Sequence, residues 1–518
     1  MRSRTIGRRL LLALSLLAIA SFVLQPRALA AVPAASIGLN KMDLALQYLG
    51  MASGGNGSPE YVRVDRAMAR KAIADAHQLG VRFFRVAMTG FAPSTYGARG
   101  DLDLWVKDPN QYWDAIDTMM ADLRRSDIKI VPTMMFNSVQ FPAMAGETTD
   151  DLFRNPHSRS WELLAKYVSQ FVSRYRGTGA IQFYELTNEL NLSADIDLLR
   201  FCSKVHPPDI CAVYSNFTTA DMVAFTVRFA KLIKSLDPSA LVSSGFSAPR
   251  ASAEHLRQHP APTGSKSIWT QDSVEELTTN LALIHQGLDI ISVHLYPGEE
   301  LGRFGSKEPV DLLRVIKTAA DRIGKPLFVG EFGDKNARTA GPNSFIDRML
   351  DEIPDLKVPY SALWVWEFYQ RRPYLTYDNS ATLPNLEPGY TDRILAHLVQ
   401  ANERFGVFPP GASARDTTPP GIVITWPLDC LPYTGDRPVQ AVASAESGKV
   451  ERVEFWLDNK KIDSVAAIPY SMQLPIQGLG GGDHTLVARA YDTSGNVGEY
   501  RTVLRVGIAA PGAQCPAR

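Results

Sequence analysis

The stretch AIQFYELTNE, residues 180–189, is an apolar run that ends in an amide and a carboxylate. Seven similar apolar runs occur between residues 36 and 368, and amphipathic stretches with apolar residues at three- and four-residue spacing lie between them. The seven runs are SIGLN from residue 36, VRFFRVAM from 81, IKIVPTMMF from 128, ALVSSGF from 240, LDIISVHLY from 288, KPLFVGEFG from 325 and YSALWVWEF from 360. Eight strands that alternate with helices predict a (β/α)₈ TIM barrel.

A doubly wound open sheet would show the same alternation of strands and helices. No glycine-rich turn follows the first run, SIGLN, and this removes the commonest nucleotide-binding form of that alternative. We therefore expect residues 31–408 to form a barrel, and we expect it to need no cofactor.

The first thirty residues have the pattern of an export signal. Four arginines among the first nine residues precede an uncharged run, residues 10–24, and ALA at residues 28–30 is a small-residue cleavage site. The uncharged run is shorter than the roughly twenty residues that span a bilayer. We expect a signal peptide at residues 1–30, a secreted or periplasmic mature chain, and no membrane partner once the signal is removed.

The charge of the mature chain is nearly balanced. Removal of the signal takes away five arginines and no acidic residue, which leaves 49 of the 54 basic side chains against 54 acidic ones. This balance gives no electrostatic reason to expect a nucleic acid or an anionic membrane as partner. We expect the protein to be a monomer.

Four cysteines in an exported chain predict two disulfides, for which three connectivities are possible. Cys202 and Cys211 are close in sequence, while Cys430 and Cys515 bracket the last part of the chain. We pair them in that way. A metal site is the weaker interpretation, because no cysteine has a CxxC partner or a histidine at ligand spacing, and we predict no metal.

The composition changes after the barrel. Residues 409–420 are rich in proline and small residues and show no apolar period, which predicts a linker. Short runs with period-two alternation follow, such as VERVEFWLDNKKI from residue 450, and turn signals separate them. Residues 421–518 are therefore predicted to form an accessory β-sandwich of the immunoglobulin-like type.

Two predicted barrel strands end in glutamates. Glu189 follows the fourth run and Glu331 follows the seventh, and the strand ends of a barrel meet at its C-terminal face. Paired carboxylates are what glycoside cleavage needs, because one acid protonates the leaving oxygen and the other carboxylate attacks or activates water. Asn188 is placed to hold a sugar hydroxyl, and Arg85 in the second run supplies positive charge that keeps Glu331 ionised.

The order of these motifs resembles clan A glycoside hydrolases, and most of all glycoside hydrolase family 5, the cellulase and mannanase group. The motifs are Asn188-Glu189 after the fourth strand, HLY at residues 294–296 after the sixth, GEFG at residues 330–333 after the seventh, and the aromatic eighth strand ALWVWEF. The resemblance covers most of residues 36–407. It implies that Glu189 is the general acid/base and Glu331 the nucleophile, and that the subsite residues are Arg85, Asn188, His294 and Tyr296.

The chain departs from that family at the third strand. Family members often carry a histidine near its exit, where this chain has Phe136 and Asn137. On the eighth strand, alternation places Trp364 and Trp366 on one face. We predict that Trp366, nearer the mouth, is the aromatic platform on which a sugar ring stacks.

The sequence thus predicts a secreted retaining β-glycoside hydrolase that acts on an oligo- or polysaccharide by a double displacement with two glutamates. The backbone of that substrate is β-glucan, cellulose or β-mannan. Two alternatives remain open. One is a non-catalytic carbohydrate-binding protein on a barrel scaffold, and the other is an adhesion protein in which the C-terminal sandwich is the functional part.

Overall fold

The computed structural model describes residues 34–51, 66–91, 100–205, 211–260, 270–297, 303–306, 309–334, 341–366, 391–410, 419–427, 432–435, 438–445, 450–474 and 476–507 of the 518-residue chain. The predicted signal peptide lies outside these residues, and so do Cys430 and Cys515 with their predicted disulfide. In the part of the chain that is described, no helix has the length and apolarity needed to cross a membrane.

The described residues up to 366 contain eight parallel strands in one sheet. They are β1 (Ser36–Asn40), β2 (Phe83–Ala87), β3 (Lys129–Met135), β4 (Tyr184–Thr187), β5 (Val242–Ser243), β6 (Ile291–Leu295), β7 (Leu327–Phe332) and β8 (Tyr360–Leu363). The strand order is β5-β4-β3-β2-β1-β8-β7-β6, and a parallel bridge between Ser243 and Ile290 joins the two ends. The sheet is therefore closed, and the prediction of a (β/α)₈ barrel is confirmed.

Helices follow the strands around the barrel. Those in the described residues are α1 (Leu44–Leu49), α2 (Arg66–Gln78), α3 (Gly100–Lys107), α4 (Pro109–Arg125), α5 (Gln140–Ala145), α6 (Thr149–Arg154), α7 (Arg159–Tyr175), α8 (Leu198–Val205), α9 (Thr219–Leu236), α10 (Ala253–Gln258), α11 (Val274–Ile284), α12 (Pro309–Ile323), α13 (Phe345–Asp355) and α14 (Asp392–Glu403). Several begin at a serine or threonine whose hydroxyl and an acidic side chain three residues on form a capping box, as at Ser273 of α11 and Ser344 of α13. Local sequence thus sets where these helices start.

The strands bury both of their faces. One face packs against the helices, and the other fills the barrel interior with a layer of apolar side chains, because successive residues of a strand point to opposite sides. The interior layer consists of Phe83, Val131, Phe183, Ile290, Phe328, Tyr360 and Ala362. Ring contacts such as Phe183 to Phe328, at 5.0 Å between centroids, hold this layer together.

Two residues further along several strands, the barrel interior becomes polar. The buried polar residues in phase with the apolar layer are Arg85, Thr133, Glu185 and Ser292. The barrel therefore has an apolar half toward the start of its strands and a polar half toward their ends, where the candidate site lies.

The C-terminal part is an all-β domain. A five-stranded sheet contains β10 (Pro432–Tyr433), β12 (Val450–Leu457), β13 (Lys460–Val465), β15 (Gly482–Asp492) and β16 (Val497–Val506), and a three-stranded sheet contains β9 (Gly421–Trp426), β11 (Val439–Ser444) and β14 (Tyr470–Met472). Alternating residues of β12, including Val453, Phe455 and Leu457, are buried in one core with Tyr470. The prediction of a sandwich is confirmed.

The neighbouring strands β12 and β15 carry two aromatic residues, Trp456 and Tyr491, whose rings lie against arginines. The guanidinium of Arg489 lies 4.7 Å from the ring centre of Trp456, and that of Arg452 lies 3.8 Å from Tyr491. Both aromatic side chains also donate to the Glu454 carboxylate. These rings therefore stabilise the sheet itself.

Candidate active site

Glu189 lies immediately beyond the end of β4. Its backbone has a φ of 49°, in the left-handed region that a side chain such as glutamate rarely adopts, and a 3₁₀ helix starts at Leu190. A hydrogen bond of 2.8 Å from its amide to the carbonyl of Gly245 holds this conformation. The strained residue thus lies where β4 and β5 end, and 33% of its side chain remains exposed.

Glu331 is in β7 and is almost completely buried, with 6% of its side chain exposed. Nη1 of Arg85 donates to Oε1 at 2.6 Å, and the hydroxyl of Tyr296 donates to Oε2 at 2.6 Å. Burial raises the pKa of Tyr296 well above its usual value, so the phenol keeps its proton and remains a donor. Two donors, one of them charged, provide the surroundings that an ionised carboxylate needs.

Arg85 connects the polar residues of the barrel interior. It is fully buried, and its pKa is raised by the carboxylates of Glu185 and Glu331 despite that burial. Besides Glu331, it donates from Nη2 to the Asn188 amide oxygen at 2.7 Å and from Nη1 to the Asn40 amide oxygen at 3.1 Å. The Asn40 side chain in turn donates to the carbonyls of β7 and β8, so the arginine is fixed to the strands around it.

His294 in β6 lies between the two candidate carboxylates. Its Nδ1 is 3.0 Å from Oε1 of Glu189 and 3.4 Å from Oε1 of Glu331. Burial lowers the pKa of His294 to about 3, so the ring is neutral. We place its hydrogen on Nδ1, because that nitrogen faces both acceptors. Gly330 makes room for the ring, since a Cβ there would lie 2.8 Å from Nε2.

The two glutamates are close together but differ in their surroundings. One oxygen of each carboxylate and a ring nitrogen of His294 all lie within 4.8 Å of one another. Glu331 accepts from a guanidinium and a phenol, whereas the partner that Glu189 finds in His294 is neutral. Burial raises the pKa of Glu189, although the nearby charge of Arg85 opposes this. Glu189 is therefore suited to carry a proton and Glu331 a negative charge.

Six of the seven predicted active-site residues come together at this point. They are Glu189, Glu331, Arg85, Asn188, His294 and Tyr296, and each contacts at least one other member of the group. They reach it from four different strands or strand ends, although they are up to 246 residues apart in sequence. The prediction that strand ends bring them together agrees with this placement.

The seventh residue, Trp366, lies elsewhere. It is fully buried in the core, and its indole nitrogen donates to the Ala72 carbonyl of α2 at 3.0 Å. This position gives no support to its predicted role as a sugar platform. The alternation behind that prediction fails because β8 ends at Leu363, before both tryptophans. Trp364 instead belongs to a separate cluster against which Tyr296 packs.

Phe136 lies directly after β3, at the position where the resemblance implies a histidine. It packs edge to face on Phe91 at 5.2 Å and is partly buried against the same cluster as Trp364. This side of the barrel mouth is therefore apolar.

Sequence reasoning missed two residues that organise the site, Glu185 and Asn40. Both are completely buried and both contact Arg85. A signal for Glu185 was present, because it is two residues after Phe183 and so shares its inward face. A carboxylate in the middle of a strand buried on both faces requires a buried partner.

Two groups among the described residues have donor atoms close enough to surround a metal ion. One group is Glu189, His294 and Glu331, and the other is His255 of α10, Asp272 just before α11 and Glu276 of α11. In the first group the adjacent Arg85 opposes a cation. In the second, the His255 ring is hydrogen-bonded to Asp272 at 2.8 Å, and Glu276 is engaged in the capping box of its own helix. The side chains of this second group therefore pair with one another, with His255 between the two acidic residues.

A disulfide joins Cys202 of α8 to Cys211, with their Cα atoms 5.7 Å apart. This confirms the predicted pairing of these two cysteines. The disulfide links two positions nine residues apart in the segment that connects β4 to β5, after the candidate acid Glu189.

Comparison with known proteins gives a domain-level match for the C-terminal part. A family model described as a bacterial Ig domain (Big_7) matches residues 420–488, in agreement with the predicted immunoglobulin-like domain. A comparison with curated proteins finds no match.

Solved structures resemble the chain in fold. An endo-β-1,4-mannanase from Thermotoga petrophila is 16% identical, covers 91% of this chain and 98% of its own, and has a TM-score of 0.46. A glycoside hydrolase family 5 mannosidase from Rhizomucor miehei is 13% identical over 72% of this chain and 94% of its own, with a TM-score of 0.45. An exo-β-1,4-mannosidase from Opitutaceae bacterium strain TAV5 is 15% identical over 73% and 61%, with a TM-score of 0.46. Likeness of this degree assigns neither an activity nor a substrate to this chain.

Proposed function

We propose that the protein is a retaining β-glycoside hydrolase, with Glu331 as nucleophile and Glu189 as general acid/base. One observation carries the proposal: the buried carboxylate of Glu331 and the partly exposed carboxylate of Glu189, with one oxygen of each within 4.8 Å of the other, have opposite surroundings, the first held by a guanidinium and a phenol and the second by a neutral imidazole. Oxygens this close favour the roughly 5 to 5.5 Å separation between carboxyl groups of retaining enzymes over the roughly 6.5 to 9.5 Å of inverting ones, in which a water molecule lies between them.

In the first step, the ionised Glu331 attacks the anomeric carbon of the sugar. The glycosidic bond breaks as Glu189 transfers its proton to the departing oxygen, which leaves as an alcohol, and a glycosyl ester forms on Glu331. His294 donates its Nδ1 hydrogen toward the Glu189 carboxylate that this transfer creates. Because the imidazole is neutral, it orients the acid without suppressing its protonation.

In the second step, Glu189 acts as the base. It takes a proton from water, the resulting hydroxide attacks the anomeric carbon, and the ester bond to Glu331 breaks. Arg85 and Tyr296 then donate again to the carboxylate that is released. Two inversions at the same carbon give overall retention of configuration.

The substrate that we propose is an oligo- or polysaccharide with a β-linked backbone, either β-glucan or β-mannan. Asn188 lies beside the acid at the mouth and is placed to bind a sugar hydroxyl, while Phe136, which is partly buried against the cluster around Trp364, offers an aromatic edge to the apolar face of a sugar ring. A panel of β-glucans, cellulose, β-mannan and xylan, assayed for new reducing ends, identifies the backbone.

Anomeric NMR of the first product tests the mechanism. We expect the β-anomer to form first and to mutarotate later. An α-anomer as first product would contradict the double displacement, and no hydrolysis of any member of the panel by the folded protein would favour a non-catalytic carbohydrate-binding role.

The C-terminal domain is proposed to be an accessory module without catalytic residues. Tyr470 is in its core, and Arg489 lies over a face of the partly buried Trp456 ring, which speaks against a sugar-binding strip of these residues. We also propose that the protein is exported, which the Cys202–Cys211 disulfide supports because disulfides persist in oxidising compartments.

A further inference from the structure

Glu185 is a third carboxylate beneath the two candidate catalytic ones. It lies within β4, is fully buried, and faces the barrel interior rather than the mouth. Its Oε1 accepts from Nε of Arg85 at 2.7 Å and from the hydroxyl of Thr133 at 2.6 Å. The proposed reaction has no step for this residue, because substrate bound at the mouth cannot reach it.

The bond from Arg85 to Glu185 sets the direction of the whole guanidinium. The group is planar and rigid, so an acceptor at Nε fixes where Nη1 and Nη2 point. With Nε held by Glu185, Nη1 reaches Glu331 and Nη2 reaches Asn188. Without that acceptor, the guanidinium is held only through Nη1 and Nη2, and we expect both contacts to lose part of their alignment.

The surroundings of Glu185 hold it in one place. Gly245 packs so tightly against it that a Cβ there would lie 2.8 Å from its Cδ. Its second oxygen is buried and finds no hydrogen-bond partner among the described residues. Burial raises the pKa of Glu185, and the charge of Arg85 opposes that shift. A buried carboxyl group with one oxygen that lacks a hydrogen bond lowers the stability of the folded chain. We therefore expect this residue to have a role that compensates for the loss of stability.

We propose that Glu185 is a positioning residue for the nucleophile: by accepting from Nε of Arg85, it holds the guanidinium in the orientation that keeps Glu331 aligned for attack. The inference rests on the proposed function of Glu331. It differs from a merely structural role, in which the Arg85–Glu185 pair stabilises the barrel and leaves the chemistry of folded molecules unchanged.

Two substitutions separate these roles. In Glu185→Gln, the amide oxygen still accepts from Nε of Arg85 and from Thr133, and the amide nitrogen takes the place of the unpaired oxygen. In Glu185→Ala, the acceptor is lost. Glu254, which is also buried and paired with an arginine but lies on α10, provides the matched controls Glu254→Gln and Glu254→Ala.

The measurements are kcat and KM on the best substrate of the panel, and the rate at which a 2-deoxy-2-fluoro glycoside of the same sugar adds its mass to the peptide that contains Glu331. The folded fraction of each variant is determined by circular dichroism, and all rates are expressed per folded molecule. For Glu185→Ala we expect kcat and the labelling rate to fall on the order of 100-fold, because a catalytic group displaced by about 1 Å can lose that much rate. We expect KM to stay within about threefold of the wild-type value. Glu185→Gln should restore both rates to within about fivefold of wild type.

Glu185→Ala that labels as fast as wild type per folded molecule would overturn the inference, and so would a glutamine variant that is as slow as the alanine variant. An effect of equal size in the Glu254 variants would show that the loss is not specific to the site. If wild type itself neither hydrolyses the panel nor takes up the label, the proposed function fails, and that result is distinct from a failure of the role of Glu185.

Discussion

The amide of Glu189 donates a 2.8 Å hydrogen bond to the carbonyl of Gly245, and this bond joins the end of β4 to the end of β5. Both residues have positive φ angles, 49° for the glutamate and 76° for the glycine. Two neighbouring strand ends are thus bent into uncommon backbone conformations that support each other, and the result turns the Glu189 carboxylate toward His294.

Gly245→Ala is expected to inactivate and destabilise the barrel. A Cβ at this position would lie 1.8 Å from the carbonyl oxygen of Thr187, so the backbone at the end of β4 must move. Strain of this kind and the unfavourable φ together cost on the order of 1 to 3 kcal/mol. Thermal unfolding and hydrolysis assays check this. Gly341→Ala is the matched control, because an added Cβ there meets no atom within 4 Å. A Gly245→Ala variant with wild-type stability would contradict the structure.

Glu189→Ala is expected to slow hydrolysis most for substrates whose leaving group has a high pKa and must be protonated as it departs. An aryl glycoside with an acidic phenol leaves without protonation, whereas a sugar alcohol does not. General acid catalysis contributes roughly 10² to 10⁴-fold, so we expect a loss of that size on oligosaccharides and a much smaller one in the first step on activated aryl glycosides. Steady-state and burst kinetics on both substrate classes measure the difference. Glu331→Ala should be inactive on both, and equal losses for the two classes in Glu189→Ala would count against its role.

His285 is expected to make the barrel sensitive to acid. Its Nδ1 faces the Leu281 carbonyl at 2.9 Å, and its Nε2 accepts from the amide of Ser292 at 3.1 Å, so the buried ring is neutral. Burial lowers its pKa to about 4, below the roughly 6.5 of an unfolded histidine. The unfolded chain therefore binds a proton first, and stability that is complete above pH 6.5 is lost as the pH falls toward 4.

Urea unfolding at pH 7 and pH 5 measures this loss. His285 alone should account for about 2 kcal/mol between these values, because one pH unit corresponds to about 1.4 kcal/mol for one proton. In His285→Gln this part of the pH dependence should disappear, whatever the overall stability of the variant. The exposed His157 is the control, and His157→Gln should keep the wild-type dependence. The same slope in all three proteins would show that His285 does not cause it.

A chain that ends at residue 412 is expected to fold and to keep its activity on soluble oligosaccharides. The residues of the candidate site all belong to the barrel, and the C-terminal domain has a core of its own. Circular dichroism and kcat/KM on a soluble substrate provide the check, with the full chain as reference. A truncated protein that is folded but inactive would mean that the sandwich contributes to the active site.

The sequence predicted the order and type of the barrel strands better than their lengths. SIGLN coincides with β1, but the run ALVSSGF contains a strand of only two residues, Val242–Ser243. Apolar periodicity reports burial, and the residues around this strand are buried without being paired along their whole length. The chain must bend at Gly245 to support Glu189, and a bend that depends on a neighbouring strand leaves no periodic signal.

The candidate site was likewise predictable from the sequence only in part. Glu189 and Glu331 were predictable because a carboxylate directly after an apolar run is unusual and because two of them shared one edge of the sheet. Trp366 was misplaced because alternation was extended past the end of β8, where the strand geometry no longer holds. Glu185 was missed because its partner, Arg85, is 100 residues away, and only the closed sheet brings the two strands together.

Among the described residues, the apolar layer of Phe83, Phe183, Phe328 and Tyr360 fills the barrel interior beneath the charged residues. We therefore expect water and protons to reach Glu189 and Glu331 from the C-terminal ends of the strands, the side on which the proposed sugar substrate would bind. If the proposed function holds, we expect a bound oligosaccharide to exclude water from the site, which strengthens the electrostatic effect of Arg85, and we expect water for the second step to enter after the leaving group has moved away.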